Sequence, residues 1–230
     1  MKLTPESTPP LPATVYVVDD DPAVRKSLRW LIESVGLPVK TFASGSEFLE
    51  QYDSRHPGCL VLDVRMPGMS GLELQEKLRE YGRHLPIIVM TAFGDVPMAV
   101  RAMKFGAVYF FEKPVKDQEL LDHIQAALLE DARWRERAQH DDVVRCRHQR
   151  LTKRECQVLQ EVVGGLSSKE IGGKLGVSFK TVEAHRAKIM KKMEADSVPH
   201  LIRLYLSIQH YDDVSPDGRP DDDPDPPDDE

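Results

Sequence analysis

The sequence predicts an α/β doubly wound five-stranded parallel sheet, followed by an all-α four-helix helix-turn-helix domain. Three observations point there. Over the first 125 residues or so, short apolar runs alternate with amphipathic stretches. From Leu151 to about His210 that alternation is gone, and capped helical patterns replace it. Between the two regions, residues 120–150 contain neither Gly nor Pro. Near-continuous apolar strands separated by helices mark a parallel sheet covered on both faces, because each crossover lays a helix over the sheet.

The strands are expected at "TVYVV" (14–18), "PVKTF" (38–42), "CLVL" (59–62), "PIIVM" (86–90) and "AVYFF" (107–111). Helical spacing joins Leu28, Leu31, Ile32 and Val35 in the first helix, and Leu72, Leu74 and Leu78 in another. Met98, Val100 and Met103 suggest a third, and Leu120, Leu121, Ile124 and Leu128 the last. That last helix continues past Leu129 and becomes steadily more polar, so it is expected to leave the domain and run into a charged linker. Sheets of this class bind ligands at the carboxyl ends of their strands.

Beyond Leu151 the helix starts are marked. "TKRE" places Thr152 at an N-cap with Glu155 three residues on, and "SSKE" repeats this with Ser167 and Glu170. Both are capping boxes. Ser178 caps a third helix and Ser197 a fourth. In "KLGVS", Gly176 supplies the positive φ of a tight turn between the second and third helices. The expected division is therefore a disordered lead (1–12), the sheet domain (13–130), a helical linker (131–150), the helix-turn-helix domain (151–211) and a disordered tail (212–230).

Composition narrows the function. At 230 residues the chain suits one large domain or two small ones. No apolar run approaches the ~20 residues that span a bilayer, and the first residues lack a signal-peptide core. Three cysteines (Cys59, Cys146, Cys156) without a CxxC pair indicate a reducing cytoplasm rather than a disulfide framework or a zinc site. The net charge of −7 is unevenly spread: −3 over residues 1–149, +5 over 150–211 and −9 over 212–230. A basic helical segment points to a polyanion partner. The Asp/Pro tail buries too little apolar surface to order itself. It is expected to solubilise the chain or to compete with that partner.

The sharpest feature is acidic. Asp19 and Asp20 end the first apolar run, and Asp63 ends "GCLVLD". Parallel strands bring all three carboxylates to one rim of the sheet, where they favour a hard cation such as Mg²⁺. Asp21 precedes Pro22 and is read as the N-cap of the first helix. Thr91 ends "PIIVMT" and Lys113 follows "YFFEKP", adding a hydroxyl and an ammonium suited to a phosphoryl group. An aspartate can itself become an aspartyl phosphate.

"VVDDD", "VLDVRMPGMSG", "IIVMTA" and "FFEKP" together resemble the four marker motifs of bacterial response-regulator receiver domains, which are flavodoxin-like. The resemblance spans roughly residues 14–130. It implies that Asp63 is the phospho-acceptor. Asp19, Asp20, Asp63 and the backbone carbonyl of Arg65 would hold Mg²⁺. Thr91 would be the switch hydroxyl, Phe110 the rotating aromatic and Lys113 the phosphoryl partner, with a cis peptide before Pro114. It also implies a sensor histidine kinase as donor.

The stretch from Leu151 to Met193 resembles the helix-turn-helix domains of LuxR/NarL/FixJ regulators. Ser168 departs from the usual Asn, and Gly172–Gly173 from an alanine-rich pair. Each glycine costs roughly 0.5–1 kcal/mol of helix stability. In the third helix (about 179–193), Val182, Ile189 and Met193 are expected to face the core. Lys180, Glu183, Ala184, Ala187, Lys188 and Lys191 lie opposite, on a face that suits a major groove. Lys180, Arg186, Lys188, Lys191 and Lys192 are expected at phosphates, with Thr181 and His185 adding backbone contacts. Glu183, Ala184 and Ala187 are candidates for base edges, although Glu183 has Lys180 and Arg186 within intrahelical pairing distance.

These resemblances imply a cytoplasmic two-component transcription factor rather than an enzyme. Phosphorylation would drive homodimerisation and binding to double-stranded DNA, with RNA polymerase a further partner. Two other readings remain open on the residues alone. One is a metal-dependent phosphatase with an aspartyl intermediate. The other is a phosphorylation-switched protein-interaction module whose helical domain does not bind DNA.

Overall fold

A computed structural model describes residues 12–82 and 84–209. The N-terminal lead up to residue 11 and the acidic tail lie outside them. Two compact units divide at Arg135/Glu136.

The first unit holds five parallel strands: β1 (Thr14–Val18), β2 (Val39–Phe42), β3 (Gly58–Asp63), β4 (Ile87–Thr91) and β5 (Ala107–Glu112). Their order is β2-β1-β3-β4-β5. The order reverses between β1 and β3, which is where a doubly wound sheet opens a crevice. Consecutive residues of a strand point to opposite faces, and the two cores follow that alternation. On one face Tyr16, Val18, Leu60, Leu62, Ile87 and Val89 meet α2 (Gly45–Gln51), α3 (Gly71–Glu80) and α4 (Val96–Lys104). On the other, Val15, Val17, Cys59, Val61, Ile88 and Met90 meet α1 (Pro22–Ser34) and α5 (Asp117–His148).

Local chemistry sets the helix starts. Asp21 caps α1 by accepting from the Ala23 N–H at 2.7 Å, with Pro22 in the first turn. Ser70 and Glu73 form a capping box on α3, and Asp95 caps α4. Two helices add to the sequence pattern. Helix α2 carries no sequence expectation, because seven residues are too few to display a 3.6-residue period. Met98, Val100 and Met103 all lie in α4 as expected; Met98 packs against the core, Val100 and Met103 are about half exposed, and Ala102 is the buried residue.

In the second unit, α6 (Lys153–Val163), α7 (Ser168–Leu175), α8 (Phe179–Met193) and α9 (Val198–Gln209) surround one core. Both predicted capping boxes form, at Thr152/Glu155 and Ser167/Glu170. Ser178 caps α8, and the Ser197 hydroxyl accepts from the His200 N–H. Gly176 ends α7 in the left-handed conformation at φ 66°. A Cβ on Gly172 would stand 2.8 Å from the Val177 carbonyl oxygen, so glycine there lets the turn close tightly. Val182, Ile189 and Met193 are buried in this core, as is Val144 from the last turns of α5.

The stretch expected to be a linker divides between the units, residues 131–135 belonging to the first and 136–150 to the second. In the first unit Asp131 accepts from the Gly58 N–H and from Arg135, and Arg135 donates to the carbonyls of Arg55 and His56. In the second, Arg147 pairs with Glu194.

Candidate functional site

Asp19 directly follows β1 and Asp63 ends β3, and these strands are neighbours. Both side chains are buried, at 3% and 7% exposure. The Lys113 ammonium, just beyond β5, donates to Asp63 Oδ1 at 2.6 Å and to Asp19 Oδ2 at 2.7 Å. The second oxygen of each carboxylate accepts from backbone: Asp63 Oδ2 from Arg65 N–H and Asp19 Oδ1 from Asp21 N–H. The Lys113–Pro114 peptide is cis.

Two buried carboxylates around one ammonium leave excess negative charge, and the protonation equilibria reflect it. Burial, aided by the Asp19 charge, pushes the Asp63 carboxyl above the usual carboxylate range, and Lys113 only partly counters this. Burial pulls the Lys113 ammonium down, but its bonds to the two aspartates outweigh that and hold its pKa above the ordinary value. A site of oxygen donors that is short of positive charge has the chemistry of a hard divalent cation site.

The expected acidic trio is not assembled. Asp20 is exposed, and among the described residues no group of three or more His, Cys, Asp or Glu side chains could hold a metal. The physical reason is the alternation at the strand end. Asp19 turns inward to Lys113, which supplies the counter-charge, while Asp20 turns to solvent.

Thr91 is fully buried at the end of β4, with its hydroxyl 3.4 Å from the Phe93 backbone. The Phe110 ring is half-buried in β5. A Cβ placed on Gly94 would meet that ring at 3.1 Å and the Thr91 methyl at 3.4 Å, so Gly94 leaves the space the two share.

On α8, Lys180, Thr181, Glu183, Ala184, Ala187, Lys188 and Lys191 are exposed along one side. Several polar residues of α8 have contacts within the domain or are partly buried. Lys192 is not among the outward lysines: its ammonium donates to buried Glu155 at 2.6 Å and to the Arg150 carbonyl. His185 is half-buried, and its Nδ1 is turned inward. The Thr181 hydroxyl shares a hydrogen bond with the capping Ser178. Arg186 donates to Ser168 at 2.9 Å, and Ser168 donates to Glu183. Sequence reasoning noticed Ser168 only as a departure. Its role depends on a contact 15 residues away that no local pattern encodes.

Residues 15–125 match the family described as "Response regulator receiver domain", and residues 149–205 that described as "Bacterial regulatory proteins, luxR family". The chain is 45% identical to the transcriptional regulatory protein FixJ of Azorhizobium caulinodans, over 92% of this chain and 99% of that protein. It is 44% identical to the transcriptional regulatory protein TdiR of Thauera aromatica, over 84% and 86%. Among solved structures, the response regulator StyR superposes with a TM-score of 0.73 at 47% identity, covering 85% of this chain and 98% of that one. With both domain families matched in order and near-complete relatives this similar, the chain belongs to the response regulators that join a receiver domain to a LuxR-type DNA-binding domain and control transcription.

Proposed function

We propose that this transcriptional regulator is switched by phosphorylation of Asp63. The observation that carries the reading is the meeting of Asp63 and Lys113 at the carboxyl ends of β3 and β5, with Asp19 beside them and Thr91 one strand away. A sensor histidine kinase is the donor. One Asp63 carboxylate oxygen forms a bond to phosphorus as the bond from phosphorus to the donor imidazole nitrogen breaks, and the imidazole leaves with a proton. Lys113 pairs with the incoming phosphoryl oxygens, and Thr91 supplies a hydroxyl to them. Mg²⁺ is the proposed cofactor: Asp19, Asp63 and the Arg65 carbonyl would hold it, joined by Asp20, whose side chain stands in solvent in this structure. When bound, it neutralises charge on the phosphoryl oxygens.

The modification replaces a carboxylate with a group of about −1.5 to −2 charge. This biases an existing two-state equilibrium at Thr91 and Phe110. The response is homodimerisation and tighter binding to double-stranded DNA, from which the regulator acts on RNA polymerase. Among the described residues no helix is long and apolar enough to cross a membrane, in keeping with a cytoplasmic site of action. The exposed lysines of α8, Lys180, Lys188 and Lys191, meet phosphates, and Glu183, Ala184 and Ala187 face base edges.

The test uses the full chain with Mg²⁺ and a small acyl phosphate. Dimer content and affinity for fragments selected from genomic DNA should both rise, and Asp63→Asn should show neither response. An Asp63→Asn protein that responds like the wild type refutes the proposal. Flat binding across a salt series would instead favour the protein-interaction reading, because phosphate neutralisation lowers log K by about 0.9 per phosphate per log unit of salt.

A further inference from the structure

Ser168 is the first residue of α7 and is buried, at 6% exposure, against the face of α8. Its neighbours there have opposite hydrogen-bonding character. A carboxylate only accepts and a guanidinium only donates. The proton of Ser168 Oγ must therefore point to Glu183 Oε1, while Oγ accepts from Arg186 Nη1 at 2.9 Å. Arg186 Nε stands 3.9 Å from the same Glu183 oxygen, closing the triangle. One hydroxyl thus ties two residues of α8, three apart in sequence, to the preceding helix.

Two consequences follow. The Arg186 guanidinium is only 25% exposed, and its charge lies beside Glu183. Glu183 is half exposed, and its Oε2 makes no hydrogen bond among the described residues. A loose carboxylate facing DNA would be repelled by phosphates, and it would lose side-chain freedom on binding. Here the charge is countered in advance, and one oxygen is anchored while the other stays open. In a major groove, an acceptor-only group at a fixed place distinguishes bases, because it accepts from the cytosine amino group.

We infer that Ser168 is a positioning residue for base specificity: through its bonds to Glu183 and Arg186 it holds the Glu183 carboxylate to select a C·G pair in each half-site. The inference rests on the proposed placement of α8 in the major groove, and it assigns a role to a residue outside the groove-facing helix.

The experiment selects bound sequences from a randomised duplex pool with the full chain, Mg²⁺ and an acyl phosphate. Ser168→Ala should keep the wild-type salt slope while losing about tenfold of the preference for C at one position per half-site. Ser168→Asn, whose amide offers both a donor and an acceptor, should restore that preference. Glu183→Gln keeps an oxygen that can accept from Ser168 and gains a donor, so it should move the preferred base toward adenine. Thermal unfolding of each variant checks that the domain is intact. If Ser168→Ala retains the full wild-type base profile, or if Glu183→Gln leaves it unchanged, the inference fails. If the wild type binds without salt dependence, the placement of α8 fails first, and the inference falls with it.

Discussion

Lys113 donates a 2.6 Å hydrogen bond to Asp63 across 50 residues of sequence, joining the carboxyl ends of β5 and β3 through a charge pair. Removing the ammonium takes away the main influence that lowers the Asp63 pKa and leaves burial and the Asp19 charge opposed only by the Arg65 N–H bond. Lys113→Ala should therefore raise the Asp63 pKa further. A carboxyl whose folded pKa exceeds its unfolded value contributes stability at low pH and loses it as pH rises through the folded pKa. The variant should thus lose stability relative to wild type as pH climbs from about 3.9 through the raised value. Carbon NMR titration of Asp63 and unfolding at several pH values check both statements.

Asp21 and Asp20 are adjacent acids with different work. Asp21→Ala removes the α1 cap and should cost about 1 kcal/mol in denaturant unfolding, without weakening Mg²⁺ binding. A fall in Mg²⁺ affinity in this variant, measured by calorimetry, would make Asp21 a metal ligand instead.

The two glycines of α7 should respond differently to alanine. The space around a Cβ at Gly173 is open, so Gly173→Ala should stabilise the helical domain by roughly 0.5–1 kcal/mol. Gly172→Ala should gain nothing or lose stability, because its Cβ would press on the Val177 carbonyl. Hydrogen exchange in α7 and α8 reads both.

Lys188 and Lys192 carry the same charge on one helix and should separate cleanly. Lys188→Ala should reduce the salt slope of DNA binding by about 0.9, with stability unchanged. Lys192→Ala should destabilise the domain by roughly 1.5–3 kcal/mol, because it leaves Glu155 buried without its charged donor. Burial opposes ionisation of Glu155, but Lys192 and the Thr152 bonds win and hold its pKa below the ordinary value. That contribution is present above about pH 4.3 and is lost as pH falls through the lowered pKa, so Glu155→Gln should flatten the acid limb of unfolding.

Much of the fold was legible because local chemistry and tertiary packing agree. Each expected apolar run lies within one or two residues of a strand, since a strand covered on both faces must be apolar along its length. The caps at Asp21, Thr152, Ser167 and Ser178 were readable because they satisfy helix N–H groups only two or three residues away. On α4 the apolar pattern located the helix but did not mark Ala102 as its buried residue.

Sequence by itself determined the strand order along the chain, the two-part architecture and the residue types that meet at the strand ends, because all of these follow from short-range patterns and marker motifs. Tertiary structure alone decided which of those residues touch. It turned Asp19 inward to Lys113 across 94 residues and left Asp20 in solvent. It drew Lys192 away from the basic face to Glu155, and it tied Ser168 to Glu183 and Arg186. The reason is physical. A buried charge or hydroxyl must find a partner wherever the fold brings one, and those partners lie too far along the chain for any local pattern to name.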